Sequence, residues 1–548
     1  MMILLALAAL APAEPLARPA PPAIGSETVV PTGLDVPRPA TRPCIVELFA
    51  EREFAGEARV PIAYRPPADC PGPWAKIVFE GDLHVTAGEQ YDRTGFVTIA
   101  GVNLFTGTTM EPRQALAPRW HVERDVTDYA ATLAAPQPGE ATLTNYVDAR
   151  YTGRLFWSGR LLFYPADAAT PAPRVPDWIE PLATAPAKID AQTPAVTRTL
   201  TFPRNVERLM IDVLAQPQAE DEFWWLCQPD PAGTPPADPQ QRGCGAPFRE
   251  AEVLIDGKLA GIAAAYPWIY TGGVNPRMWS LTPAVEALDL PPTRLDLTPF
   301  AALVNDGQPH AVSLRIVGAS RYFFAMGTLL AWRDAGRAVV GGALDANTLA
   351  SARVALTGTP APAAADRFAE TLTTATRDGR AVGHVDTSHG RVTTSVDYRF
   401  RFRNRQRGAP GGGEIDQDSA VDTRREIRGP DGITRHQVAE RFPLFVAIES
   451  HAVGPDQVSD THFRQGLTRV ETTTAAGRTH RRTTALLVEP RVHMVVPPSG
   501  RRDAKVQATT VTTTRVMDDA AGCYDRTVTV TDNRVAAVRE ECPLPRRR

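Results

Sequence analysis

The sequence lacks two features: a hydrophobic run long enough to span a bilayer, and a large excess of charge of one sign. Its 59 basic residues nearly balance 62 acidic ones, which gives a formal net charge of −3. This balance creates no field that would attract a polyanion, so we expect no nucleic-acid partner. A membrane helix needs about 20 apolar residues in a row. No segment provides them, and we expect no integral membrane segment.

Motifs of several catalytic and metal-binding classes are also missing. No G-x-S-x-G occurs, and His84, His121 and His310 have no triad-like context. The glycines at 411–413 are not followed by the Lys-Ser/Thr of a phosphate-binding loop. The cysteines show no C-x-x-C spacing and no matching histidines, which argues against a zinc site. We therefore expect no metal and no organic cofactor.

The N-terminus has the pattern of a secretory signal. An apolar run precedes the small-residue sequence Ala11-Pro12-Ala13, so residues 1–13 are predicted to be a signal peptide cut near Ala13. An even number of cysteines behind a signal fits an oxidising compartment, and we expect a secreted or periplasmic protein. Pairing between sequence neighbours is the simplest of the connectivities that six cysteines allow. It predicts the disulfides Cys44–Cys70, Cys227–Cys244 and Cys523–Cys542.

The hydrophobic pattern has period two through most of the chain. Tyr398, Phe400 and Phe402, for example, alternate with arginines, as expected for a half-buried strand. Helical patterns are few, and the clearest lies at 125–133. A chain of 548 residues is too long to form a single hydrophobic core, so we expect about three domains. Stretches rich in Pro and Ala predict a tail at 14–41 and a linker at 166–194, and a weaker break lies near 334–345. We expect an all-β chain with sandwich domains at 42–165 and 195–338 and a C-terminal β domain at 339–548.

Acidic residues beside strand-like segments are the candidate catalytic groups. Asp92 directly precedes the alternating run that begins at Phe96, where a carboxylate can project into a cleft. Glu222 belongs to three consecutive acidic residues, and burial of such a group raises a pKa. From composition alone, a turn aspartate and a solvated acidic loop are the more common explanations of these residues.

Aromatic residues provide candidate surfaces for a sugar. The apolar face of a pyranose packs well on an indole ring, and the indole N–H can bond a hydroxyl. Packing in a hydrophobic core is the alternative for each tryptophan. The glycine-rich turn at 270–276 could line a site or form a simple loop. The substrate-binding candidates in these two groups are Trp224, Trp225, Trp268, Tyr270 and Asn275.

Five segments together resemble the A-type peptide N-glycanases, with the order and spacing of that family. They begin with Arg204-Asn205-Val206 and Asp221-Glu222-Phe223-Trp224. They continue with Gly245-Ala246-Pro247-Phe248-Arg249-Glu250, with the 269–276 turn and Trp279, and with Asp296-Leu297-Thr298-Pro299-Phe300. The resemblance covers residues 42–335 firmly and the C-terminal third weakly. It implies an amidase that acts on N-glycosylated peptides or glycoproteins.

A fainter resemblance links the chain to the F-type peptide N-glycanases, which are built from two jelly rolls. In that family a Trp-Asp-Arg before a strand carries the catalytic aspartate, and Tyr91-Asp92-Arg93 matches it here. The match implies jelly rolls at 42–165 and 195–338, catalysis by Asp92 and a functional acid at Asp148. The second F-type glutamate has no counterpart, because Gly245 stands at that place.

The two resemblances together imply hydrolysis of the amide that links N-acetylglucosamine to asparagine. Asp92 would activate water, and Glu222, Glu250 or Asp148 would help the nitrogen leave. Arg93 or Arg249 would stabilise the developing oxyanion. The alternatives are a non-catalytic glycan-binding sandwich, an endoglycosidase and a purely structural envelope protein.

Overall fold

The first β-sandwich is a jelly roll of eight strands. In the computed structural model, residues 15–113, 115–227, 244–359, 369–409, 411–500 and 503–542 are described, and the predicted signal peptide lies outside them. One sheet has the order β1-β8-β3-β6 and the other β2-β7-β4-β5. The strands are β1 (Cys44–Phe54), β2 (Gly56–Tyr64), β3 (Trp74–Val85), β4 (Thr94–Ile99), β5 (Val102–Thr108), β6 (Arg119–Asp125), β7 (Gln137–Asn145) and β8 (Leu155–Pro165).

The predicted helical stretch at 125–133 is confirmed as two short turns between β6 and β7. A 3₁₀ turn, Thr127–Tyr129, leads directly into the helix α1, Ala130–Leu133. Leu133 is buried, so the helix is fixed by packing of its apolar side against the sandwich rather than by its length.

The second β-sandwich repeats the jelly-roll order. Its sheets run β10-β17-β12-β15, with β9 on β17, and β11-β16-β13-β14. The predicted linker at 166–194 is not only a linker, because it contributes β9 and β10 to this sandwich. The strands are β9 (Trp178–Pro181), β10 (Ala187–Ile189), β11 (Ala195–Thr201), β12 (Val206–Gln218), β13 (Glu250–Ile255), β14 (Lys258–Ala264), β15 (Thr293–Asp296), β16 (Pro309–Val317) and β17 (Tyr322–Arg333), and the short helix α2 spans Ala301–Val304.

The C-terminal third forms one antiparallel sheet of eleven strands. Its order follows the sequence from β20 to β28, with β18 and β19 both paired to β20. Several strands exceed 18 residues, far above the usual length of five or six. The strands are β18 (Gly341–Asn347), β19 (Arg353–Thr359), β20 (Ala369–Thr387), β21 (Gly390–Ala409), β22 (Gly412–Gly429), β23 (Gly432–Val453), β24 (Asp456–Ala475), β25 (Arg478–Val496), β26 (Lys505–Asp518), β27 (Gly522–Thr531) and β28 (Arg534–Glu540).

One hydrophobic core is shared by the long sheet and the second sandwich. The alternation predicted around Phe400 is confirmed, since Phe400 and Phe402 are buried while Arg399 is 65% exposed. The inward rings meet aromatic rings of the sandwich, with Phe402 5.4 Å from Phe248 between ring centroids. Because the two units bury one another's apolar faces, the sheet is a structural part of the second sandwich.

The N-terminal segment, predicted to be a tail, is extended and lies along the far end of the chain. The backbone N–H of Gly25 donates to the Val535 carbonyl oxygen at 2.8 Å, and Val535 donates back to Ser26 at 3.0 Å. Val30 joins a small apolar cluster made of Leu116, Leu281 and three valines of β27 and β28. The segment therefore connects the last hairpin of the sheet with loops of both sandwiches.

The three predicted disulfides are confirmed: Cys44–Cys70, Cys227–Cys244 and Cys523–Cys542. Each closes a local loop, one in each of the three β units. Among the helices of the described residues, none combines the length and the apolar character that crossing a membrane requires.

Candidate active site

Asp92 stands at the contact between the two sandwiches. It directly precedes β4, where the sequence predicts it, and one of its carboxylate oxygens, Oδ2, accepts a 2.6 Å hydrogen bond from the backbone N–H of Gly272. Gly272 belongs to the glycine-rich turn that follows β14 in the second sandwich. A carboxylate on one sandwich is thus held by the backbone of the other.

Glu111 lies beside Asp92 because of the register of the β4–β5 hairpin. Thr94 pairs with Thr108, and the pairing continues as the Thr109 N–H donates to the Arg93 carbonyl at 2.9 Å. This register lets the backbone N–H of Asp92 donate to Oε1 of Glu111, with the nitrogen and the oxygen 3.3 Å apart. Sequence analysis missed Glu111. The tight two-residue turn of this hairpin was the available signal, because it fixes which residues face each other across the strands.

Glu222 approaches the same place from the second sandwich. It lies in a 3₁₀ helix, Ala219–Leu226, that follows β12. Ala219 begins this helix with φ +54°, a left-handed conformation that non-glycine residues rarely adopt. The backbone N–H of Ala219 bonds the Glu222 carboxyl group. Such local strain persists where surrounding structure imposes it, and it often marks functional sites.

Burial raises the pKa values of all three carboxyl groups. Burial, followed by the negative charge of Glu111, raises the pKa of Asp92 to about 7. Burial and the charge of Asp92 raise the pKa of Glu222 to about 8. Burial also raises the pKa of Glu111, against the opposing charge of Arg113, whose Nη1 lies 3.0 Å from its Oε2. At neutral pH the cluster holds protons, so it can both accept and donate one.

Gly272 leaves no room for a side chain at this contact. A Cβ atom there would lie 2.5 Å from Oε1 of Glu111 and 2.7 Å from Oδ2 of Asp92. Both distances are far below van der Waals contact. The glycine is required because the backbone must approach two carboxylates at once.

Given the amidase activity that the sequence resemblance implies, Gly272→Ala should lower kcat/KM on a glycopeptide about 100-fold, because displacement of a candidate catalytic group by about 1 Å has an effect of that size. Steady-state kinetics with a fluorescent glycopeptide measures this. Gly408→Ala is the matched control, since a Cβ at Gly408 meets nothing within 4 Å. Equal activity of Gly272→Ala and wild type would show that the contact between Gly272 and Asp92 has no catalytic importance.

Two predicted acids lie away from this cluster. Glu250 is fully buried on β13 and pairs with Arg377 of the long sheet at 2.6 Å, so it belongs to the interface between those units. Asp148 lies in a loop, where its Oδ1 accepts backbone hydrogen bonds from Arg150 and Tyr151, each at 2.7 Å. These bonds lower the pKa of Asp148, which suits a turn aspartate and not a proton donor.

Of the two arginines that the sequence suggests, Arg249 lies away from the carboxyl cluster and Arg93 lies beside it. Arg249 is buried and donates through Nε and Nη2 to Oδ1 of Asp221, at 3.0 and 2.8 Å. Its guanidinium group is enclosed, and it does not reach a substrate. Arg93, in contrast, follows Asp92 directly and donates from Nη2 to Oε1 of Gln90 at 2.7 Å.

The predicted tryptophan platforms are core residues. Trp224 and Trp225 are 1% and 0% exposed and lie in the core shared with the long sheet. Trp268 is 7% exposed and packs on Tyr266, with ring centroids 4.7 Å apart. Periodic patterns do not distinguish a ring that faces a groove from one that faces another sheet, and here the second case applies.

Tyr270 and Asn275 remain near the site as parts of its supporting turn. Tyr270 is buried, and its hydroxyl donates to the Pro217 carbonyl at 2.8 Å. The Asn275 side chain accepts from the Arg277 backbone N–H at 3.0 Å and begins a short 3₁₀ turn. Both residues shape the loop that carries Gly272.

Exposed tyrosines next to Asp92 form a surface that sequence analysis did not identify as a group. Tyr91 is 51% exposed, its ring centroid lies 4.8 Å from that of Tyr151, and their hydroxyls are 2.9 Å apart. Tyr146 is equally exposed on the loop after β7. Aromatic rings in this position offer apolar faces and hydroxyls beside the carboxyl cluster.

The carboxyl cluster does not match a metal site. In the part of the chain that the structure describes, two groups of His, Asp and Glu are close enough to share an ion, and neither contains Asp92, Glu111 or Glu222. The positive charges beside the cluster come from arginine side chains instead.

Three comparisons show which known proteins the chain is similar to. Peptide-N4-(N-acetyl-beta-glucosaminyl)asparagine amidase A of Prunus dulcis is 28% identical over 421 residues, which cover 70% of this chain and 69% of that protein. Two solved structures share part of the fold at 12% identity and a TM-score of 0.35, and each covers 53% of this chain: PNGase F from Flavobacterium meningosepticum, over 96% of its length, and PNGF-II, over 66%. The family model described as peptide N-acetyl-beta-D-glucosaminyl asparaginase amidase A matches residues 36–329, more than half of the sequence. The chain therefore belongs to the peptide N-acetyl-beta-D-glucosaminyl asparaginase amidase A family.

Proposed function

We propose that this protein hydrolyses the amide between N-acetylglucosamine and asparagine in glycopeptides or glycoproteins. Water adds to the amide carbon, the carbon–nitrogen bond breaks, and the nitrogen takes a proton and leaves as a glycosylamine. The asparagine becomes aspartate. The observation that carries the proposal is the cluster of Asp92, Glu111 and Glu222 where two jelly rolls meet, in a chain of this family.

Asp92 is the proposed general base. Its Oδ2 is bonded to Gly272, which leaves Oδ1 to take a proton from water. A base with a pKa near the working pH combines sufficient ionisation with sufficient strength, and a pKa of about 7 meets that requirement. Positioned groups of this kind accelerate a reaction by about 10²–10⁴-fold.

Glu222 is the proposed general acid. Its pKa of about 8 keeps it protonated at neutral pH, which is the form that donates to a leaving nitrogen. It is supplied by the second sandwich, so base and acid can lie on different sides of the bound amide. Of the three acids that the sequence offered for this role, Glu222 is the one coupled electrostatically to Asp92.

Arg93 and Arg113 are the proposed electrophilic groups. The charges of both lower the pKa of Asp92, so both lie close to the proposed base. The Nε atoms of both arginines are buried without a hydrogen-bond partner. A guanidinium donor in a site sheltered from water stabilises an oxyanion more than it would in bulk water.

Glu111→Gln should shift the acid limb of the kcat/KM profile to lower pH by about one unit. The charge of Glu111 raises the pKa of Asp92, so a neutral residue lets Asp92 ionise at lower pH. A profile between pH 4 and 9 measures the shift, because this ratio reports groups of the free enzyme. A limb that stayed in place, or moved upward, would contradict the assignment of Asp92 as the titrating base.

Glycopeptide mass spectrometry tests the function as a whole. An amidase releases the complete glycan and leaves aspartate at the former asparagine. An endoglycosidase leaves one N-acetylglucosamine attached, and a glycan-binding or structural protein leaves the mass unchanged. Either of the last two results would overturn the proposal.

The proposed site of action is outside the cell or in the periplasm. Three disulfides are stable in an oxidising compartment, where glycoproteins are also exposed. The predicted signal peptide agrees with this location. Fractionation of the native host, with immunodetection of the protein, distinguishes it from the cytoplasm.

A further inference from the structure

Three metal-ligating side chains meet where the second sandwich touches the long sheet. Glu207 lies near the start of β12, Asp334 directly follows β17, and His389 occupies the turn between β20 and β21. Their ligand atoms all lie within 4.8 Å of one another. The group shares no residue with the carboxyl cluster of Asp92, Glu111 and Glu222.

One oxygen of this group is buried without a partner. Glu207 is 9% exposed, and its Oε2 accepts no hydrogen bond. Nε2 of His389 lies 3.8 Å from this oxygen, which is too far for a hydrogen bond. Folded proteins rarely leave a buried carboxylate oxygen in this state, and where they do an ion or water is a common explanation.

The other oxygens are held in place by neighbouring donors. Arg174 binds Oε1 of Glu207. Asp334 accepts from the backbone N–H and the hydroxyl of Ser388, the latter at 2.7 Å, and from the Gly336 N–H at 2.8 Å. Carboxylates that bind metals are commonly oriented by such contacts, which leave the remaining lone pairs directed at the ion.

We propose that Glu207, Asp334 and His389 form a binding site for a divalent transition metal, with zinc as the best match. One imidazole nitrogen and two carboxylate oxygens form a donor set that zinc binds, with water in the fourth position. Calcium prefers six to eight oxygens, which these residues do not supply. His389 is 52% exposed and free to rotate the short distance that coordination requires.

The metal would connect two units of the fold. Glu207 and Asp334 belong to the second sandwich, whereas His389 lies on a hairpin of the long sheet. A bound ion would fasten that hairpin to the sandwich edge. Its role is structural, so glycan release is unaffected by the loss of the site, and failure of this proposal leaves the proposed function intact.

A second group of similar composition provides an internal control. Glu80, His121 and Glu123 are equally close together. Arg38 binds Glu80 and Glu123 at 2.6 and 2.7 Å, and Arg160 binds the other oxygen of Glu80 at 2.6 Å. Both oxygens of Glu80 are thus paired with guanidinium groups, unlike Oε2 of Glu207, so we expect no metal there.

Isothermal titration of Zn²⁺ into the full chain tests the proposal. The protein is made without a histidine tag and dialysed against a chelator first. Wild type should bind one equivalent, and Glu207→Gln and His389→Ala should each weaken binding at least 100-fold. His121→Ala should bind as wild type does. Zn²⁺ should also raise the unfolding temperature of wild type and of His121→Ala, but not of the two site variants.

Three results would overturn the proposal. The first is the absence of stoichiometric Zn²⁺ binding by folded wild type. The second is binding that Glu207→Gln and His389→Ala leave unchanged. The third is a higher affinity for Ca²⁺ than for Zn²⁺, which would exclude the proposed metal class. Circular dichroism verifies that the variants are folded, and glycopeptide turnover by His389→Ala should equal that of wild type.

Discussion

Asp92→Asn is expected to lower glycan release at least about 10³-fold, because it removes the proposed base. Asparagine keeps an oxygen that can accept the Gly272 N–H, so the contact between the sandwiches remains. The KM should change little, since the missing group acts on water rather than on the substrate. Single-turnover assays with a glycopeptide separate the chemical step from binding.

The same variant should be more stable than wild type at neutral pH. The pKa of Asp92 rises from 3.8 to about 7 on folding, so the folded protein retains a proton that the unfolded chain releases. Stability therefore falls as pH rises through that window, and asparagine avoids this loss. We expect an increase in unfolding temperature of about 2 °C or more at pH 8. Differential scanning fluorimetry between pH 4 and 8 measures it.

Asp148→Asn is the matched control for both measurements. Asp148 is exposed, and its pKa is lowered by backbone hydrogen bonds. Its replacement should leave turnover unchanged and should not raise the unfolding temperature. If Asp92→Asn retained wild-type turnover, or if Asp148→Asn lost it, the assignment of the base would be incorrect.

Arg377→Ala is expected to destabilise the fold by about 3–5 kcal/mol, because it removes a buried guanidinium group that pairs with two buried acids. The Nη2 atom of Arg377 lies 2.6 Å from Glu250 and 3.0 Å from Glu252, and all three side chains are buried. Urea denaturation measures the change. Arg399→Ala is the control, since Arg399 pairs with Asp378 in solvent and such pairs contribute about 1 kcal/mol or less.

This measurement also separates the two roles considered for Glu250. Burial raises the pKa of Glu250 to about 8, as it would for a catalytic acid, although Arg377 opposes the shift. Because Glu250 faces the long sheet, Arg377→Ala should lower stability while the kcat of the remaining folded protein stays near wild type. A large loss of kcat without a loss of stability would indicate that Glu250 is a candidate catalytic acid.

The sequence predicts the β-sandwich architecture and indicates Asp92 as a candidate catalytic residue, because local patterns mark both. Alternation around Phe400 marks which face of a strand is buried, and a short motif places Asp92 ahead of a strand. Both signals depend on neighbouring residues only. The position of Glu111 depends on hairpin register, and that of Gly272 depends on how two sandwiches dock. Such relations are not written in any short segment.

The sequence also does not decide whether Glu222 or Glu250 is the better candidate for the proton donor. Both glutamates lie within two residues of an aromatic residue in segments that resemble one family, and both have raised pKa values. They differ in which unit each one faces. Glu222 faces Asp92 across the sandwich contact, whereas Glu250 faces a strand more than 120 residues further along the chain. The docking of the long sheet distinguishes the surroundings of the two glutamates, and it could not be predicted from period-two patterns.

The pairing of the N-terminal segment with β28 has a consequence for the order of folding. Gly25 and Arg534 are 509 positions apart, so their contact closes last as the chain is made. Until then Val30 has no partners in β27 and β28, and the apolar cluster that also holds Leu116 and Leu281 is incomplete. These two leucines lie three and nine residues beyond Arg113 and Gly272. Catalytic activity should therefore appear late. It requires that the β27–β28 hairpin has been synthesised and has bound the N-terminal segment.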